Sequence, residues 1–145
     1  MVDVSDKAVT VRIALAEGRV RMSETARHVL FTGSGPKGDV LAAARIAAVM
    51  ASKRTADLIP LCHSLPLSGV QVRFGEEPDG VRIEVECKTV AKTGVEMEAL
   101  TAVSVAALTV YDMLKAVDRG MRIDGVRVLR KEGGRSGVYE APPGP

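Results

Sequence analysis

The chain has 145 residues, of which 46% are hydrophobic, and its 20 Lys and Arg against 18 Asp and Glu give a formal net charge of +2. This length and apolar content suffice for the core of one domain, which excludes global disorder and makes two independent domains unnecessary. The near balance of charge is atypical of a nonspecific nucleic-acid binder. Two Phe, two Tyr and no Trp also leave few surfaces on which bases could stack.

Two further features bear on cellular location. Cys62 and Cys87 are the only cysteines, and a chain with its own core needs no disulfide, so we expect reduced thiols. The first seven residues show no basic region followed by an apolar run, and the most apolar stretch, 99–110, is shorter than the ~20 residues that span a bilayer. These patterns predict a soluble, cytoplasmic protein that does not bind membranes.

The spacing of apolar residues predicts the secondary structure. In chain order the predicted elements are a strand over 9–15 that resumes at 20–22, helices over 24–31 and 40–53, a turn from residue 55, a hairpin of strands over 70–74 and 81–87, a helix over 94–119, and a strand over 121–129. Ser23 opens the first helix and Asp39 caps the second, and Gly125 is a candidate bulge in the last strand. The tail from Lys131 is expected to be mobile.

The order strand, helix, strand, strand, helix, strand is that of an α+β, ferredoxin-like split βαβ domain, in which two helices cover one face of an antiparallel sheet. We therefore expect residues 1–145 to form a single domain. The long helix is apolar almost all round from Ala99 to Val110, and such a helix must be buried on more than one side. This predicts an oligomer, with subunit contacts through this helix or through the opposite face of the sheet.

Two loops carry candidate chemistry. Lys37 ends a Gly-rich loop just before a helix N-terminus, where backbone N–H groups attract anions, so it is either a phosphate clamp or an ordinary solvated turn. Cys62 and His63 lie in an apolar loop between Pro60 and Pro66. Adjacent residues make a poor metal site and a poor nucleophile–base pair, which leaves a structural histidine and a ligand-contacting one equally open.

The long helix carries acidic residues near both ends. Thr93 and Glu96 fit a capping box, and Glu98 is favourable near a helix N-terminus on dipole grounds alone. Asp112 and Lys115 share a face and are either a general acid–base pair or a surface ion pair.

Glu98 and Asp112 are 14 residues apart, which is about 21 Å along a helix. They cannot both touch one reacting centre within a chain. A site that uses both must be assembled across an interface.

Four segments together resemble the MoaC family of molybdenum cofactor biosynthesis. They are Lys37-Gly38-Asp39-Val40, Leu58 to His63, Lys92 to Thr101, and Tyr111 to Ala116. The resemblance extends from Met1 to Gly137. It implies a ferredoxin-like hexamer, a trimer of dimers, with active sites at a dimer interface. The implied reaction converts cyclised 7,8-dihydroguanosine 5'-triphosphate, made from GTP by a radical enzyme, into cyclic pyranopterin monophosphate and pyrophosphate.

The resemblance also assigns residues. It implies that Leu61, Cys62, His63, Glu96, Met97 and Glu98 bind substrate and that Asp112, Lys115 and Lys37 are catalytic. We expect Asp112 and Lys115 to relay protons and Lys37 to hold phosphate oxygens. His63 would orient the ring or carry a second proton. No protein-bound metal or redox cofactor is expected, and Mg²⁺ accompanying the triphosphate is left open.

A departure from the family pattern and two alternative functions also bear on this prediction. Ser64 stands where the family usually has proline after the loop histidine, which loosens the backbone there. The alternative function is a noncatalytic oligomeric module that binds a nucleotide or phosphometabolite. An RNA-binding ferredoxin-like domain is disfavoured because Phe74 is the only aromatic residue on the predicted hairpin strands.

Overall fold

The computed structural model describes residues 1–144 and contains five strands and four helices. In chain order the elements are β1 (Thr10–Arg21), α1 (Glu24–Thr32), α2 (Val40–Ser52), α3 (Thr55–Leu58), β2 (Leu67–Glu77), β3 (Gly80–Ala91), α4 (Glu96–Leu114), β4 (Arg122–Glu132) and β5 (Tyr139–Glu140). The sheet is antiparallel with strand order β2-β3-β1-β4-β5. Without α1, α3 and β5 the element order is β-α-β-β-α-β, which confirms the predicted α+β class.

The helices α2 and α4 cover one face of the sheet. α4 packs on β1, β3 and β4, while α2 packs on α4 and β2. Alternate strand residues, among them Ala14, Ala16, Ile83 and Val85, are fully buried beneath them. The other face, here called the open face, has no helix on it within residues 1–144.

The caps of the first two helices are the predicted ones. The Ser23 hydroxyl accepts the Ala26 N–H at 3.2 Å, and the Asp39 carboxylate accepts the Ala42 N–H at 3.0 Å. Each bond satisfies a backbone donor that the first helical turn leaves free. The Asp39 cap therefore fixes where α2 begins, and with it the position of the Lys37 loop.

β1 is continuous, whereas the sequence suggested an interruption at Gly18. Gly18 lies within the strand, and an added Cβ would come within 2.7 Å of the Val103 side chain on α4. The glycine is therefore a point of close packing between sheet and helix. A register shift with β4 occurs beside it, opposite Gly125, whose φ is +64°. This irregularity fits the predicted bulge.

α4 is shorter at both ends than predicted. It begins at Glu96, with Val95 at the N-cap position and no side-chain cap, so the expected capping box of Thr93 and Glu96 does not form. At the other end the N–H groups of Val117 and Asp118 both donate to the Leu114 carbonyl, which closes the helix. The Asp118 carboxylate accepts the N–H groups of Ser23 and Gly120 and so competes with further helical turns.

Among residues 1–144, one helix, α4, could span a membrane by length and composition alone. It is longer than the apolar stretch considered above because its polar ends are included. About half of its most apolar 18 residues are buried inside the fold. Core helices meet the same criteria of length and composition, and α4 packs on the sheet as a core helix.

The last strand extends beyond its predicted end at Leu129. β4 reaches Glu132, and β5 pairs with it through Arg130 with Glu140 and Lys131 with Tyr139. The Gly and Pro content that suggested a tail from Lys131 is compatible with a short returning strand. The mobility of the tail stays a prediction.

The open face contains one buried charge. Glu17 is only 2% exposed, and its carboxylate accepts hydrogen bonds from Arg82 at 2.8 Å and from Arg127 at 3.0 Å, with Arg19 at 3.3 Å. Burial raises the pKa of Glu17, but the hydrogen bonds from Arg127 and Arg82 and the charge of Arg19 outweigh it and hold the pKa below its ordinary value. The carboxylate is thus ionised and fully paired.

Candidate functional site

The C-terminal end of α4 gathers the three residues expected to be catalytic. Asp112 accepts hydrogen bonds from Lys115 at 2.8 Å and from Lys37 at 3.0 Å, one on each carboxylate oxygen. Lys115 is three residues further along the chain, whereas Lys37 is brought in by the loop before α2. We call these three residues the Asp112 cluster.

The two lysines determine the charge state of this cluster. Hydrogen bonds from Lys115 and Lys37 hold the pKa of Asp112 below its ordinary value. All three side chains are about half exposed in the single chain, so the burial that would strengthen their coupling is not provided within it. The cluster carries one negative and two positive charges, which suits an anionic ligand and places ammonium donors beside a carboxylate acceptor.

The loop before β2 and the start of α4 enclose a cavity of about 290 Å³, here called the His63 cavity. It is lined by Ile59, Leu61, Cys62, His63, Leu65, Thr93, Gly94, Glu96 and Met97. Five of the six residues expected to bind substrate therefore meet in one place. Its volume is at the lower end of the ~300 to 1,000 Å³ of small-molecule pockets, which suits a ring system better than a whole nucleotide.

Glu98, the sixth residue, lies behind this cavity. It is 2% exposed, its Oε2 atom has no hydrogen-bond partner within residues 1–144, and the Cys62 thiol lies 4.0 Å from Oε1. Burial raises the pKa of Glu98, and the negative charge of Glu96 acts in the same direction. An unpaired buried carboxyl is a costly arrangement that a bound ligand with a donor group would relieve.

Neither cysteine is set up as a nucleophile. Both are free; burial, and to a smaller extent the charge of Glu98, raises the pKa of the Cys62 thiol. For Cys87 burial raises the pKa to about 12. Cys62 therefore contributes a neutral thiol to the cavity wall. Residues 1–144 contain no group of three or more His, Cys, Asp or Glu side chains placed to hold a metal ion.

The Asp112 cluster and the His63 cavity are separated by the length of α4. Both Glu98 and Asp112 lie within this single helix, so the rise of ~1.5 Å per residue holds them about 21 Å apart. The structure thus assembles two partial sites at opposite ends of one helix. It does not bring the two together within the chain.

A third feature near the start of α4 was not predicted from the sequence. A cavity of about 510 Å³, here called the basic cavity, is lined by Asp6, Lys7, Ala8, Thr10, Arg12, Gly134, Arg135 and Ser136. Arg12 donates to the carbonyl of Lys92 at 3.4 Å, directly before the wall of the His63 cavity that begins at Thr93. A lining residue of the basic cavity therefore contacts the residue that precedes this wall of the His63 cavity. The available signal was the run Gly133 to Gly137, in which basic and hydroxyl side chains stand among glycines.

The N-terminal segment lies at the same place. Hydrogen bonds from Ser5 hold the pKa of Asp3 below its ordinary value, with smaller contributions from the charges of Lys92 and His63. Lys92 in turn donates to the Ser5 carbonyl at 2.9 Å. The segment before β1 thus forms part of the surroundings of both cavities.

Comparison with known proteins identifies the relatives of this chain. The model of the MoaC family matches residues 1–134. A cyclic pyranopterin monophosphate synthase from Methylobacterium nodulans is 59% identical over 145 residues, covering 99% of this chain and 91% of the relative. One of the same name from Chloroflexus aggregans is 57% identical over 142 residues, covering 97% and 86%.

Proposed function

The chain belongs to the MoaC family, and from that premise we propose that it is a cyclic pyranopterin monophosphate synthase of molybdenum cofactor biosynthesis. It converts cyclised 7,8-dihydroguanosine 5'-triphosphate to cyclic pyranopterin monophosphate and pyrophosphate in the cytoplasm. A radical enzyme acting on GTP supplies the substrate. The protein contributes no metal or redox cofactor, and any Mg²⁺ is held by the triphosphate rather than by dedicated protein ligands.

The observation that carries this proposal is the hydrogen-bonded cluster of Asp112 with Lys37 and Lys115. Rearrangement of a purine ring requires several proton transfers, and the cluster places one ionised acceptor between two cationic donors. Pyrophosphate departure develops negative charge on phosphate oxygens, which the lysines are placed to stabilise. Asp112 and Lys115 therefore serve proton transfer, and Lys37 holds phosphate.

The two cavities at the other end of α4 divide the substrate between them. The His63 cavity takes the ring, whose amide and amino groups offer donors to the unpaired Oε2 of Glu98. The basic cavity, with Lys7, Arg12 and Arg135, offers cations to the phosphate chain.

The active site is completed by a second copy of the chain. The helices and the loop before β2 expose apolar side chains that the chain itself does not cover, namely Ile46, Met50, Leu58, Leu61, Met97 and Leu108. Leu61 and Met97 line the His63 cavity, and Leu108 precedes Asp112 by about one helical turn. Such apolar surface between two partial sites favours an interface that brings one subunit's Asp112 cluster to another's His63 cavity. A hexamer built as a trimer of dimers provides such interfaces.

The proposal is tested by supplying the cyclised dihydroguanosine triphosphate to the purified protein and measuring pyrophosphate release and pterin formation. The parent should turn over. Asp112→Asn should lose activity by about 10²-fold or more, in the range of general acid–base catalysis, without losing its fold. Glu24→Gln, which neutralises an exposed carboxylate on α1, is the matched control and should retain full activity.

Two outcomes would contradict the proposal. Binding without turnover by the folded parent would favour the noncatalytic binding module. Undiminished turnover by Asp112→Asn would remove the catalytic role of this carboxylate. In both cases circular dichroism and the oligomeric state of each preparation show that the comparison is between folded proteins.

A further inference from the structure

The loop that carries His63 is held at its exit by a buried hydroxyl, beside the pairing of Leu67 on β2 with Thr89 on β3. Thr89 lies on β3, is fully buried, and donates its side-chain hydroxyl to the carbonyl of Pro66 at 2.5 Å. Pro66 ends the loop, and its neighbour Leu65 lines the His63 cavity. The hydroxyl therefore fixes the loop three residues after His63.

Thr89 interrupts the apolar pattern of its own strand. The preceding buried positions of β3 that face the helices are Val81, Ile83, Val85 and Cys87, whereas Val90, next to Thr89, is 51% exposed on the open face. A buried hydroxyl without a partner is destabilising, so packing alone favours valine at position 89. The carbonyl of Pro66 explains why a hydroxyl is accommodated there.

Few other bonds restrain this loop. The Cys62 N–H donates to the Ile59 carbonyl at 3.2 Å and holds its entry. Within the 144 described residues, no turn or loop hydrogen bond between backbone groups involves residues 63–66. The Cys62 thiol contacts the His63 carbonyl at 3.6 Å. Apart from that local contact, the segment around His63 depends on its two ends for its orientation.

Thr89 also connects the two walls of the cavity. The strand that carries it continues to Ala91 and leads through Lys92 to Thr93 and Gly94, which form the wall opposite the loop. A bond from this strand to Pro66 therefore sets one wall relative to the other. Loss of the bond would let the loop, and His63 with it, shift against the wall.

We propose that Thr89 is a positioning residue: its hydroxyl fixes the exit of the loop over residues 59–66 and thereby the orientation of His63 in the cavity. The consequence for catalysis rests on the proposed function. The geometric effect on His63 is independent of it.

The test compares variants that differ in one hydroxyl. Thr89→Val keeps the shape of the side chain and removes the hydroxyl, and Thr89→Ser keeps the hydroxyl. Thr89→Ala removes the hydroxyl without placing a second methyl beside Pro66. Ser68→Ala is the matched control, because Ser68 makes a similar bond to the Lys88 carbonyl but does not line the cavity.

Two readouts are taken on the folded oligomer well below its melting temperature. One is kcat and KM with the cyclised triphosphate, and the other is the ¹⁵N and ¹³C NMR shifts of the His63 imidazole. Thr89→Val and Thr89→Ala should shift the His63 resonances and lower kcat/KM by about tenfold, mainly through kcat. Thr89→Ser and Ser68→Ala should remain within about twofold of the parent, with parental His63 resonances.

Unchanged His63 resonances in either folded hydroxyl-free variant would overturn the proposal. So would equal activity losses in Thr89→Ser and Thr89→Val. If the parent itself shows no turnover, the proposed function fails, while the His63 resonances still decide the role of Thr89.

Discussion

Two buried glutamates have opposite electrostatic environments in this fold. Glu17 and Glu98 are each 2% exposed. Glu17 is surrounded by arginines that outweigh its burial, whereas Glu98 has an oxygen without a partner and a pKa raised by burial. The first arrangement stabilises the fold, and the second costs stability where a ligand is expected to bind.

Glu17→Gln should lower the free energy of unfolding at pH 7 by about 1–3 kcal/mol, because two charge-assisted bonds are weakened in a buried place. The pKa of Glu17 is depressed in the folded state, so its contribution is present above the ordinary value of 4.5 and is lost as the pH falls through the lowered folded value. Denaturant unfolding of parent and variant between pH 7 and pH 3 should therefore show a difference that narrows below 4.5. The control is Glu76→Gln, which removes a surface pair with Arg27 and should cost less than about 1 kcal/mol. A constant difference across this range would contradict the assignment.

Glu98→Gln should have the opposite effect. The raised pKa means that ionised Glu98 opposes folding, increasingly as the pH rises above the ordinary value of 4.5. At pH 7 the variant should be more stable than the parent by about 1 kcal/mol, with the gain vanishing below 4.5. It should lose kcat/KM at the same time. A variant that is less stable at pH 7 would show that Glu98 is a structural residue.

At the scale of the elements, the stability of the fold depends on how closely α4 packs on the sheet. Gly18→Ala adds a methyl 2.7 Å from Val103 and 3.1 Å from Val126. The expected loss in unfolding free energy is about 1–3 kcal/mol, as for other overpacked cores. Gly69→Ala meets no atom within 4 Å and should be neutral. Adding Val103→Ala should recover part of the Gly18→Ala loss; strict additivity in this double-mutant cycle would contradict the contact.

The sequence predicted those elements whose signal is local. The caps Ser23 and Asp39 and the alternation on β3 identified α1, α2 and the hairpin because these patterns depend on neighbouring residues. Gly18 was ambiguous because only its contact with Val103, 85 residues away in the chain, keeps the strand continuous. The end of α4 was misplaced because Asp118 closes the helix with a bond to Ser23, a long-range contact.

In the candidate site, too, the sequence predicted the local relations but not the long-range contacts. Periodicity and motif spacing placed Asp112 with Lys115 and separated both from Glu98. The hydrogen bond between Lys37 and Asp112 joins residues 75 positions apart in the chain. It could therefore be identified only from the fold. Thr89 was passed over because a threonine in a strand carries no signal until the carbonyl it reaches is known.

At the scale of the whole molecule, two features of the single chain both favour association with a second copy. Its helical layer exposes large apolar side chains, and its candidate catalytic residues lie at the opposite end of α4 from its candidate substrate-binding residues. A second copy on this layer would bury the apolar surface and join an Asp112 cluster to a His63 cavity. The central claim is therefore that each active site is shared by two chains.

Subunit complementation between two inactive variants tests this claim most directly. His63→Ala and Asp112→Asn are each expected to be inactive alone. Co-assembled in equal amounts, they should recover about a quarter of the parental activity, because random pairing joins two intact halves in about a quarter of the sites. Mixed oligomers that form but remain inactive would contradict the shared site and place the whole reaction within one chain.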